Sequence, residues 1–240
     1  MTENQQTEER NSDRFISAYN RIDQEMKHII GSTDHHSFFR LIDLTKKKSA
    51  VIRRYEADLR EFGDLRNAIV HHRTSVEYVI AEPHDDVVTK MEEIEQALMH
   101  PHSVGETFKR DVLTFQLGDS LSYALKIIRE RKFNQFPVFL GSEFKGLVTP
   151  VGITAFLASN IHEDTISLRK TTLEDILIHE TKRANHRFIS RDTSAYVAEE
   201  MFKTELSRGH RLEALLITED GEPSNELFGI ITPFDILKLN

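Results

Sequence analysis

Cysteine is absent from this chain of 240 residues, so it forms no disulfide and offers no thiolate to a metal. Missing too is any apolar run approaching the ~20 residues that a membrane-crossing helix needs, and no signal-peptide pattern opens the sequence. These absences set the expectation of a soluble, cytoplasmic protein with no membrane contact. A Walker-type phosphate loop, a Gly-rich dinucleotide fingerprint and a Gly-x-Ser-x-Gly elbow are all lacking, which removes the enzyme classes built on them. Twelve histidines are present, but they are scattered. His35-His36 and His71-His72 are adjacent pairs, whose side chains diverge on a helix, and no metal-ligand spacing recurs. No metal site is expected.

What is there suits a globular protein: 39% hydrophobic and 29% charged residues, with a net charge of −8. That sign argues against a non-specific nucleic-acid binder. The charge is uneven, since residues 12–80 carry +2 and residues 81–240 carry −8. Residues 1–11 are polar and are expected to form a disordered tail. If any part meets a polyanion such as RNA, it is the region 12–80. The length allows two domains, each with its own core.

The most informative stretch is Phe228 to Leu237, Phe-Gly-Ile-Ile-Thr-Pro-Phe-Asp-Ile-Leu, because Lys145 to Phe156 is a faded copy of it. Both copies run from Gly through strand-type positions to Thr, then Pro, then a helix, and such a repeat fixes the architecture. Pro150 and Pro233 suit a first helical turn, where a missing N–H costs nothing. The free N–H groups of that turn favour an anion such as phosphate. Thr232 has a hydroxyl for the phosphate, and Asp235 is an acceptor for ribose hydroxyls. The blander reading has Thr capping the helix and Asp complementing its dipole. Three residues after Thr149 the first copy has Gly152 instead of an acid.

Each copy has the same elements upstream. Val112 to Gln116 is strand-like, a helix follows Gly118-Asp-Ser120, and Phe136 to Leu140 is a second strand. In the second copy Arg187 to Arg191, Tyr196 to Leu206 and Ala214 to Glu219 repeat that order. The second copy is about ten residues longer, shared between its helix and its hairpin loop. This twofold β-α-β-β-α pattern resembles a tandem pair of CBS (cystathionine-β-synthase) domains, a Bateman module. The resemblance covers about 107–160 and 185–240 within a domain spanning 101–240. It implies a regulatory adenine nucleotide (AMP, ATP or a cyclic dinucleotide), with S-adenosylmethionine not distinguished from these. Thr232, Asp235 and Thr149 would be the nucleotide-binding residues, giving one competent and one degenerate pocket.

The region 12–100 reads as a helical bundle. Phe15, Tyr19, Ile22, Met26 and Ile29 recur at helical spacing over Asp13–Ile30. A second stripe from Phe38 to Phe62, which includes Ser49, predicts one helix ending at Gly63. Lys46, Lys47, Lys48, Arg53 and Arg54 lie mostly off that stripe, as a solvated face or an RNA track. Leu65 to Arg73 continues as helix, Val76–Ala81 is ambiguous, and a last helix runs from Pro83 through Leu98. A wheel places Leu65, Ala68, Ile69 and His72 towards the core, with Asn67 and His71 together on the opposite face.

The run Arg66-Asn67-Ala-Ile-Val-His71 in an all-helical setting resembles the HEPN (higher eukaryotes and prokaryotes nucleotide-binding) family. Its catalytic members are metal-independent endoribonucleases whose motifs meet across a dimer. Under that resemblance Arg66, Asn67 and His71 are the catalytic residues, with His71 as general acid or base and Arg66 stabilising phosphate charge. The resulting expectation is an α+β chain in two domains: a HEPN-like all-α bundle, then a tandem CBS pair. Its function is nucleotide sensing that controls a dimeric helical effector, and the alternative is a ligand-gated endoribonuclease. A homodimer or higher assembly is expected.

Overall fold

The computed structural model describes residues 9–32, 34–71, 82–161, 168, 170–180 and 185–237. The chain divides into two compact units, Met1–His102 and Ser103–Asn240.

The first unit contains α1 (Asn11–Ile30), α2 (Phe38–Thr45), α3 (Ala50–Arg54), α4 (Glu56–His71) and α5 (Asp85–Met99). Phe15, Ala18, Ile22 and Met26 form the buried stripe of α1, and Val88, Met91, Ile94 and Leu98 that of α5. These stripes face one another, flanked by Arg14–Glu92 at 2.7 Å and Arg21–Glu95 at 2.6 Å. Gly31, at φ 65°, ends α1 by donating its N–H to the carbonyls of Lys27 and His28. Asn11 lies in the helix rather than in the tail, because its side-chain amide donates to the Pro83 carbonyl and to Asp85.

The single helix expected over 38–62 is three helices. Ser49, assigned to its apolar stripe, instead caps α3 by accepting from the Ile52 N–H at 3.3 Å. Gly63 ends nothing, and α4 runs straight through it. A Cβ there would lie 3.1 Å from the Phe39 ring and 3.3 Å from that of Phe38, so the glycine makes room for close packing of α2. Lys46 is tied to Asp43 and Glu56 at 3.3 and 2.8 Å, and Arg60 joins the same two carboxylates.

The second unit holds α6 (Val104–Thr107), β1 (Phe115–Gln116), α7 (Leu121–Arg131), β2 (Phe136–Leu140), β3 (Glu143–Val148) and α8 (Pro150–Asn160). It continues with α9 (Leu173–Leu177), β4 (His186–Ser190), α10 (Ala195–Ser207), β5 (Ala214–Thr218), β6 (Gly229–Ile231) and α11 (Pro233–Ile236). Two three-stranded sheets result, β1-β2-β3 and β4-β5-β6. In each, the first pair is parallel across a helical crossover and the second is an antiparallel hairpin. The strand expected over 112–116 is only Phe115–Gln116, paired with Val138 and Phe139. Phe144 of β3 packs edge-on against His186 and Phe188 of β4, with ring centres 4.9 Å away in both cases, which joins the sheets.

One feature of the packing was not expected. The short helix α6 precedes the first sheet, yet its Val104 is buried in the core of the second, with Ile189, Ala198 and Leu215. The short helix α9 precedes the second sheet, yet Leu173 and Ile176 are buried in the core of the first, with Phe115, Leu121 and Phe136. Matching bridges fix the exchange, Ser103 with Ser194 and Thr172 with Ser120. Each sheet is thus completed by the segment in front of the other.

Candidate functional site

The exchange brings the chain after α6 against the second Thr-Pro turn. The Arg110 N–H donates to the Phe228 carbonyl at 3.1 Å, and its guanidinium donates to the Ile230 carbonyl. Gly229 permits this approach, since a Cβ there would sit 2.5 Å from the carbonyl oxygen of Phe108. The guanidinium then reaches Asp235, at 3.3 Å to Oδ1 and 3.0 Å to Oδ2. Asp235 Oδ2 also accepts from the Thr232 N–H and hydroxyl, both at 2.8 Å. Burial pushes this carboxyl up, but Arg110 and the two Thr232 donors outweigh it and hold it below the usual aspartate value.

Around this ion pair opens a cleft of about 390 Å³, lined by Arg110, Lys132, Phe133, Thr232, Phe234 and Asp235 among others. Lys132 ends α7 in a left-handed conformation, φ 58°, and so stands at the cleft wall. Phe133 and Phe234 are 50% and 75% exposed. The lining thus combines two cations, the two carboxylates of Asp111 and Asp235, a hydroxyl and two accessible aromatic faces. That set matches a ligand with hydroxyls, an anionic group and a flat ring.

The corresponding turn of the first repeat is built differently. Thr149 is fully buried and Gly152 is buried beside it. The chain after α9 arrives as the chain after α6 does in the second repeat, and what it places there is Glu180. The Thr149 N–H donates to Glu180 Oε1 at 2.6 Å and its hydroxyl to Oε2 at 3.2 Å. The Asn185 amide adds a third donor at 2.9 Å. Burial pushes the Glu180 carboxyl above its ordinary value, against the pull of these donors.

Of Arg66, Asn67 and His71 in the helical unit, the structure describes the side chains of the first two. Arg66 is half-buried, its guanidinium 5.4 Å from the centre of the Tyr19 ring, which itself stacks on Phe38 at 4.1 Å. Burial raises the Tyr19 hydroxyl pKa while Arg66 pulls it down. Asn67 is half-exposed, and the side chain of His71 lies outside the described residues, as do His72 and Val76–Ala81. Ala68, expected in the core, is exposed, and Leu65 is only half-buried. The buried stripe of α4 is Leu59, Phe62 and Ile69, about 80° round from the one the wheel selected, because α4 keeps through Ile69 the phase of Leu59 and Phe62. Among the described residues no group of three His, Asp or Glu is placed to hold a metal, and no helix is long and apolar enough to cross a membrane.

Residues 104–159 match the family model for the CBS domain. The match begins at α6 and ends within α8, so it spans the first repeat, and the second repeat has the same strand order and pairing as this CBS domain. A Thermofilum pendens protein described as an uncharacterized 33.4 kDa protein in ribosomal RNA operon is 24% identical over 191 residues, or 75% of this chain. The chain spans 58% of the length of that relative. Among solved structures, a CBS domain pair in complex with 5′-methylthioadenosine and S-adenosyl-L-methionine is 18% identical, with a TM-score of 0.42. It is covered over 95% of its length and covers 58% of this chain. A second structure, a CBS protein in complex with AMP, is 14% identical with a TM-score of 0.41, over 57% of this chain and 95% of its own.

Arg110 and Glu180 were missed by reading the sequence. A signal for them existed, since Ser103-x-x-Glu106 and Thr172-x-x-Asp175 are two capping sequences at equivalent places. Aligning on them puts Arg110-Asp111 opposite His179-Glu180.

Proposed function

We propose that the second unit is an adenine-nucleotide sensor and that the helical unit is its effector, working as a homodimer. The observation that carries this reading is the Arg110–Asp235 pair at the wall of an open cleft. Ribose hydroxyls compete with Arg110 for Asp235, and the guanidinium released from Asp235 is then free for the ligand's phosphate. The base rests against Phe133 and Phe234, and Lys132 adds to the anion site. Arg110 and Lys132 give a nucleotide phosphate two charge-assisted partners, while Asp111 and Asp235 leave the lining balanced in charge. The match of residues 104–159 to the CBS domain supports the choice of a nucleotide.

Sensing requires the ligand to favour one arrangement of the chain over another, typically by 1–3 kcal/mol. The exchanged segments suit that task, because displacing Arg110 from Asp235 acts on the chain that joins α6 to the first sheet. We read the helical unit as an output surface and not as a nuclease, since the Arg66 guanidinium packs over the Tyr19 ring. Calorimetric titration with AMP and ATP tests the proposal. The wild-type chain should bind one equivalent, and Asp235→Ala should weaken binding by roughly 1.5–3 kcal/mol, the worth of a hydrogen bond to a charged group. Unchanged affinity in Asp235→Ala would remove the assignment.

A further inference from the structure

The two Thr-Pro turns are satisfied by carboxylates of different origin. In the second repeat the carboxylate belongs to the turn itself, Asp235, and the segment crossing from α6 supplies the cation Arg110. In the first repeat the turn has Gly152 at that position, and the segment crossing from α9 supplies the carboxylate, Glu180. The donors are the same two in both cases, a threonine N–H and its hydroxyl. The absence of a side chain at 152 is a condition for this arrangement, because a Cβ there would lie within 2.5 Å of the Glu180 carboxyl carbon. Asn185, only 7% exposed, holds Glu180 from the far side while its amide also donates to the Leu147 carbonyl at 3.1 Å.

We propose that the first repeat is closed by an internal ligand: Glu180 occupies the position beside Thr149 and, paired with Gly152, leaves one usable cleft per chain. The consequence for stoichiometry rests on the proposed function, whereas the pairing of 152 with 180 stands without it. In the second repeat an incoming hydroxyl has only to displace Arg110, whose side chain is 38% exposed and has solvent to move into. In the first repeat a ligand would have to expel a carboxylate held by three donors.

The test is a thermal-unfolding cycle on the full chain with Gly152→Ala, Glu180→Ala and the double variant. Glu180→Ala strands the Thr149 donors and should lower Tm by roughly 2–4 °C or more. In the wild-type background Gly152→Ala should also lower Tm, since the new methyl collides with the Glu180 carboxyl. In the Glu180→Ala background it should raise Tm, because the collision is gone and alanine favours a helix over glycine. A Gly152→Ala effect of the same sign and size in both backgrounds overturns the pairing. Should Glu180→Ala alone fail to fold, Gly152→Asp/Glu180→Ala recreates the second repeat's arrangement. Recovery of the fold in that variant supports the proposal, and continued failure overturns it. Titration with AMP distinguishes the two readings. A wild-type chain that passes the cycle but binds no AMP fails the proposed function alone, and a second equivalent retained in Asp235→Ala overturns the closure.

Discussion

Replacing Arg110 with alanine should move adenosine and AMP affinity in opposite directions. In the free chain Arg110 holds both oxygens of Asp235, at 3.3 and 3.0 Å. Its side chain is 38% exposed, so the pair resembles a surface ion pair, worth about 0.5–1 kcal/mol. Arg110→Ala spares an incoming nucleoside that cost, and adenosine should bind roughly 2- to 5-fold tighter. AMP makes the same gain but loses a charge-assisted bond from guanidinium to phosphate, worth about 1.5–3 kcal/mol. The difference, roughly 0.5–2.5 kcal/mol, weakens AMP by about 2- to 70-fold. Paired calorimetric titrations of wild type and Arg110→Ala with both ligands measure this. Equal weakening of the two would mean that Arg110 supports the cleft's shape and does not compete for Asp235, and the exchange mechanism would fall.

Three other outcomes are expected. Burial lowers the pKa of His186 below its ordinary value of 6.5, so the folded chain binds fewer protons than the unfolded one just below that pH. Stability should therefore fall as pH drops through about 6.5, and His186→Phe should flatten the fall in denaturant titrations across pH 5–7. Gly63→Val should cost roughly 1–3 kcal/mol by overpacking against Phe38 and Phe39, measured by urea unfolding; a neutral result would mean that α2 moves away freely. RNA incubated in EDTA with the chain and AMP should remain intact. Cleavage that His71→Ala abolishes would revive the nuclease alternative.

Much of the second unit was legible because Gly-x-x-Thr-Pro occurs twice, and a repeated turn with matching caps fixes strand order. The strand pairing at Val138–Gly146 and Ile217–Gly229 shows where the longer second copy takes up its extra residues. Four fall in its hairpin and six ahead of β5. The exchange of α6 and α9 was hidden, because a short helix with one apolar residue, as in α6, or three, as in α9, does not record which core receives them. The same holds for Arg110 and Glu180, whose partners lie 125 and 31 positions away. In the helical unit the apolar stripes of α1 and α5 were plain. The stripe from Phe38 to Phe62 misled because helices α2, α3 and α4 happen to keep phase across breaks that only Ser49 and Tyr55 mark. Restarting the wheel at Leu65, instead of carrying that phase through Phe62 to Arg66 and Ile69, put Ala68 inside and Arg66 outside.

The exchanged helices also set a schedule for synthesis. When the ribosome has released the chain through α9, the first sheet already has Leu173 and Ile176 for its core and can close. By then α6 has been free for some seventy residues, but the sheet that buries Val104 is not complete until β6 emerges. The chain is thus threaded so that an early piece waits for a late one, and a product stopped short of Ile231 would carry α6 with its apolar face uncovered. Such a fragment is a natural substrate for chaperones and proteases. The interlock therefore ties the burial of α6 to the arrival of β6.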